Sequence, residues 1–130
     1  MIGYLTLGTN DLQRAIAFYD ELLAELGASR SFSDERMAGW GRTPAETMFS
    51  VIVPFDEEPA TIGNGVMIAL NVETPGNVER VYQKALELGG TDEGHPHDRG
   101  SSMGFYGGYF RDLDGNKLVA YCLGYRPERS

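Results

Sequence analysis

The chain has 130 residues, 42% of them hydrophobic and 11% aromatic, a length and composition suited to one self-sufficient core. No apolar run approaches the roughly 18 residues of a membrane span. A formal charge of -8 with no Lys/Arg cluster repels phosphate backbones, so neither a membrane nor a nucleic-acid partner is expected.

The opening residues, MIGYLTLGTND, carry neither a basic start nor a small-residue cleavage site, and a cytoplasmic protein is expected. Ile2 to Leu7 alternates as a strand does. Asn10 and Gln13 have the spacing of a capping box, and Leu12, Ile16, Tyr19, Leu23 and Leu26 follow at helical intervals. Gly27 suits a left-handed C-cap. SFSDERMAGWGR and ETMFSVIVPF, separated by Thr43, Pro44 and Ala45, read as three strands. Pro59, Gly63, Asn64 and Gly65 then mark a linker.

After the linker the order begins again. VMIALNV is a strand, and PGNVERVYQKALELGG is a helix with Val78, Val81, Tyr82, Ala85 and Leu88 inward and Gly89 and Gly90 as its stop. TDEGHPHDRGSSMG reads as a polar loop. It leads to FYGGYFRD and NKLVAYCLGY, two strands joined through Asp114 and Gly115, a favoured hairpin pair. The tail, residues 125–130, is expected to fray. A shift of 63 positions places Tyr4 on Met67, Tyr19 on Tyr82 and Gly27 on Gly90. The order strand, helix, several strands thus occurs twice, in modules of about 1–56 and 64–124, within a single domain of 1–124. Each helix covers one face of its sheet, and the other faces can enclose a groove for a small molecule.

Four segments carry a family resemblance: TNDLQRAIAFYDELLAELG, GNGVMIAL, ALELGGTDEG and the closing hairpin YGGYFRDLDGNKL, in which Leu113 stands where proline is usual. With them the chain resembles the glyoxalase, bleomycin-resistance and extradiol-dioxygenase superfamily, also called vicinal oxygen chelate proteins. The resemblance implies an α+β fold of two βαβββ modules whose curved sheets surround a cleft. It also implies homodimers. Its enzymes hold a divalent metal on the inner sheet surface, with ligands from the first strand and a late strand of each module. The corresponding positions here are Tyr4, about Ser50, Met67 and Val119.

These side chains make a poor donor set. Tyr4 must lose a proton with a reference pKa near ~10, the Met67 thioether is a soft donor, and Val119 has no donor. Gly3, Leu5, Val66, Ile68, Leu118 and Ala120, one residue away, are equally inert. No metal and no cofactor are therefore expected, and DLDGNKLVAY reads as a wall. His95 and His97 in EGHPHDRG could bind a metal aided by Glu93 or Asp98, but a third fixed donor is missing and a solvated loop is the simpler reading. Ser50, Ser101 and Ser102 lack a nucleophile-elbow setting, the glycines of YGGYFRDLDG do not form a phosphate loop, and lone Cys122 reads as a small buried residue.

A binding pocket remains. Tyr4, Trp40, Met67, Phe105 and nearby tyrosines are expected to face the cleft, with Arg42 or Arg99 at its mouth to pair with a carboxylate. The expected function is small-molecule binding without the family metal, with a metal-dependent lyase or isomerase resembling lactoylglutathione lyase as the alternative. No catalytic residue is assigned.

Overall fold

The computed structural model describes residues 1–127; residues 128–130, the end of the expected tail, lie outside the described residues. Two modules follow one another. The first comprises β1 (Tyr4–Gly8), α1 (Leu12–Ala24), β2 (Ser29–Ser33), β3 (Met37–Gly41) and β4 (Met48–Ile52). The second comprises β5 (Ile68–Asn71), α2 (Pro75–Glu87), β6 (Thr91–Asp98), β7 (Tyr106–Arg111) and β8 (Lys117–Cys122). The sheet orders are β1-β4-β3-β2 and β5-β8-β7-β6, so the modules share one topology. In each, the first strand pairs in parallel with the last and the remaining pairs are antiparallel. The fold is α+β, with two open sheets that do not close on each other.

Each helix buries the stripe its spacing dictates. Leu12, Ile16, Tyr19 and Leu23 of α1 are buried, as are Val78, Val81, Tyr82 and Ala85 of α2. Opposite α1, alternation turns Leu7, Ala38, Trp40, Phe49 and Val51 inward; opposite α2 it turns Phe110, Leu118, Ala120 and Cys122 inward. The other face of each sheet carries no helix.

Three expectations about local structure need correction. Asp11, not Asn10, caps α1, accepting from the Arg14 amide at 3.1 Å. Asn10 instead ties down the linker, exchanging hydrogen bonds with the backbone of Ala60. The polar run after α2 contains a strand, β6. Its side chains are almost all exposed because it is a sheet edge, so it shows no apolar alternation, and its backbone bonds to β7 hold it with register shifts around Gly94 and Pro96. The turn between β7 and β8 also spans five residues, 112–116, rather than two.

That turn joins the modules. The Asp112 carboxylate is 4% exposed and accepts from the Asp114 and Asn116 amides, the Asn116 side chain and the Tyr19 hydroxyl. Asn116 Nδ2 also donates to the Gly8 carbonyl at 3.0 Å, and Arg14 pairs with Asp114 at 3.3 Å. DLDGN is thus a clasp from the second module onto β1 and α1 of the first. A more exposed pair, Arg80 with Glu25, links the two helices.

Candidate functional site

The open face of the second sheet gathers the densest set of recognition groups. Alternation on β7 and β8 puts Gly107, Tyr109 and Arg111 beside Val119, Tyr121 and Lys117 on this face. Gly107 has no side chain, so the Phe105 ring can lie flat over it; a Cβ there would fall 2.7 Å from the ring. Phe105 stacks on Tyr121 with centroids 5.1 Å apart and planes 5° from parallel. Further along, Tyr109 lies under two cations, the Arg99 guanidinium at 4.9 Å and Lys117 Nζ at 5.3 Å.

Next to this aromatic strip the linker forms the outer wall of a cavity of about 590 Å³. Ile62, Val66 and Met67 supply its apolar side, Arg111 and Lys117 its cationic side. Arg111 is engaged with the Gly115 carbonyl and with Glu93 at 3.2 Å. Lys117 has no carboxylate partner among the described residues. It is therefore a cation with unused donors at the junction of cavity and strip.

The structure divides the expected site residues between places. Met67, Phe105 and Arg99 belong to the second sheet's open face, and Tyr4 begins β1 on the open face of the first, 61% exposed. Trp40 does not face the cleft. Gly39 and Gly41 flank it on the opposite side of β3, and its indole is buried against α1, donating to Asp20 at 2.8 Å. Arg42 lies beyond the end of β3 and closes on Glu46. Arg99 is close to the site but committed to structure, donating to the carbonyls of Gly94, His95 and Gly107. Lys117, Arg111 and Tyr121 were missed as individual residues; strand alternation from Val119 would have placed Lys117 and Tyr121 on one face.

The family's metal positions do not assemble a donor set. Ser50 pairs in register with Thr6, and Val119 with Ala69. Ser50 Oγ is buried without a hydrogen-bond partner, and the adjacent Met48 side chain lies over Gly39, so soft or neutral groups fill that surface. His95 and His97 have ring centroids 5.1 Å apart, but among the described residues no three His, Cys, Asp or Glu side chains are grouped to hold a metal. The residues present do not fit the family metal, and no reaction step is derived through one.

The model of the glyoxalase/bleomycin resistance protein/dioxygenase superfamily matches residues 1–120. The chain belongs to this superfamily. Among its members, a glyoxalase/bleomycin resistance protein from Albidiferax ferrireducens T118 is similar in structure, with 32% identity, a TM-score of 0.84, and coverage of 98% of this chain and 99% of that one. A hypothetical protein from S. aureus shares 27% identity at a TM-score of 0.70, covering 94% and 92% of the two chains. A lactoylglutathione lyase from Agrobacterium tumefaciens shares 19% identity at a TM-score of 0.68, over 94% of this chain and 92% of that one, a likeness of fold alone. No curated protein sequence matches the chain. Among the described residues, no helix is long and apolar enough to cross a membrane.

Proposed function

We propose that this superfamily member binds a small aromatic or apolar carboxylate on the open face of its second sheet, without a resident metal. The observation that carries the reading is unpaired Lys117 at the wall of the 590 Å³ cavity, beside the aromatic strip of Tyr109, Phe105 and Tyr121. A cavity of that size suits a ring-bearing small molecule. The ring buries against Met67 and the strip, and the carboxylate takes the free Lys117 donors, a charge-assisted contact worth about 1.5–3 kcal/mol. Lys117 thus takes the role expected of Arg42 or Arg99, whose guanidinium groups are already engaged through Nε and Nη2.

Residues 1–124 act as one unit in this reading, with modules at about 1–56 and 64–124, in a cytoplasmic homodimer. Exposed Ile2 and Tyr4 and the free edges of β1 and β5 support pairing.

Calorimetric titration of indole-3-acetate against its neutral amide tests the site. The acid should bind at least about tenfold more tightly, and Lys117→Met should remove the difference. Equal affinities would sink the proposal. Metal-dependent turnover of the methylglyoxal–glutathione adduct would favour a lyase instead.

A further inference from the structure

The two modules are built alike but closed differently. The β7–β8 turn crosses to the first module as the clasp described above. Its counterpart by strand order, the β3–β4 turn at residues 42–47, makes no hydrogen bond to the second module. Arg42 Nε instead donates to Glu46 at 2.9 and 3.1 Å, and Thr47 Oγ1 donates to the Ile2 carbonyl at 2.6 Å. One end of the seam between the modules is therefore clasped by its turn, while at the other the turn takes no part and the exposed Arg80–Glu25 pair is the ion pair that crosses.

Behind the unclasped end lies a cavity of about 360 Å³. Leu5, Leu26 and Phe49 line it from the first module, Ile68 and Leu70 from the second, and Trp40 forms part of its wall. Leu5, Leu26, Ile68 and Leu70 belong to the fringe of the core, packed on it yet only partly buried. The cavity is thus a gap in the core at the seam, separate in its lining residues from the cavity beside Lys117.

We infer that the unclasped seam is a second ligand site, one that takes an uncharged, ring-sized apolar molecule. Its volume lies within the usual range for small-molecule sites, and an apolar gap of this kind is stabilised when filled. The rim fixes the charge of the occupant. Arg42 and Glu46 satisfy each other, and Glu73 lies close enough to act on Arg42. A carboxylate would compete with Glu46 for Arg42 and face the charges of Glu46 and Glu73, while an ammonium would meet Arg42. A neutral ring disturbs neither.

N-phenyl-1-naphthylamine, a neutral fluorophore that accepts energy from tryptophan, is a suitable probe of the full chain because Trp40 is its sole tryptophan. Saturable transfer from Trp40 is expected, and calorimetry should show indole-3-acetate, whose own indole would mask Trp40 in fluorescence, binding alike with and without the probe, so that failure here and failure of the carboxylate site are separate results. Thr47→Phe at the exposed rim and Ala28→Phe in the wall should each weaken binding about tenfold or more. Should Ala28→Phe fail to fold, the rim variant still decides. The inference is overturned if transfer does not saturate, if Thr47→Phe binds as wild type does, if indole-3-acetate displaces the probe, or if the probe binds only as it dissociates a dimer.

Discussion

The Tyr19 hydroxyl donates to Asp112 Oδ2 at 2.6 Å, although 93 residues separate the two along the chain. Its counterpart in the second module, Tyr82, donates to Asp92 at 2.7 Å, only 10 residues away. Equivalent tyrosines thus serve different ends: one holds the modules together, the other fastens an edge strand to its own helix.

Removing each hydroxyl should show this difference. Tyr19→Phe leaves a buried carboxylate short of one donor and should cost about 1.5–3 kcal/mol in urea denaturation. Tyr82→Phe should cost less, because Asp92 is exposed and water can replace the phenol. Equal losses would show that Asp112 is not the main contact between the modules.

At alkaline pH, the fold should fail through its tyrosines. Burial and the neighbouring Asp112 hold the Tyr19 phenol well above its usual range. Burial and the bond to Asp92 push Tyr82 up to about 12, and the bond to Glu79, followed by burial, does the same for Tyr106. The fold favours the neutral phenols, so their stabilisation is complete below the unfolded value of about 10 and is lost as pH rises through about 12. Absorbance near the phenolate band should show these three of the seven tyrosines ionising late, together with unfolding. Ionisation of all seven near pH ~10 in a chain that stays folded would contradict this assignment.

Metal content follows from the donor set. Elemental analysis of protein purified without chelator should give well under one divalent ion per chain. A stoichiometric ion that survives dialysis and disappears in His95→Ala or His97→Ala would mean that those two rings recruit a third ligand.

Association is open to a direct measurement. Sedimentation at micromolar concentration should give a dimer, and Ile2→Asp, exposed just ahead of β1, should shift it toward monomer. A concentration-independent monomer would remove the case for pairing through the free edges of β1 and β5.

The helices and the repetition were legible because they rest on local spacing. Both helices carry their apolar residues at regular intervals, and the 63-residue shift that aligns Tyr19 with Tyr82 also aligns Leu12–Ala24 with Pro75–Glu87. β6 was not legible, since its order comes from backbone pairing and its side chains meet water. The side taken by Trp40 could have been read from its neighbours. In MAGWG, Gly39 and Gly41 leave one face of β3 bare beyond Met37, so Ala38 and Trp40 on the other must fill the core. The clasp was beyond local patterns, because Asp112 gains its role only from a phenol in the other module. DLDGN is therefore a tie between modules, while the strand after it contributes Lys117, Val119 and Tyr121 to the open sheet face.

The clasp also orders events during synthesis. As the chain leaves the ribosome, the last strand of the first module is complete at Ile52, but the Tyr19 hydroxyl lacks its Asp112 partner until β7 has followed. A nascent first module must leave that phenol wet or bury it unpaired, which opposes a settled core. The second module carries its own partner for Tyr82. Arrested chains ending near residue 62 should accordingly be cut by protease throughout, whereas a fragment of 64–124 should retain a protected α2, so that the half made last is the half better able to stand by itself.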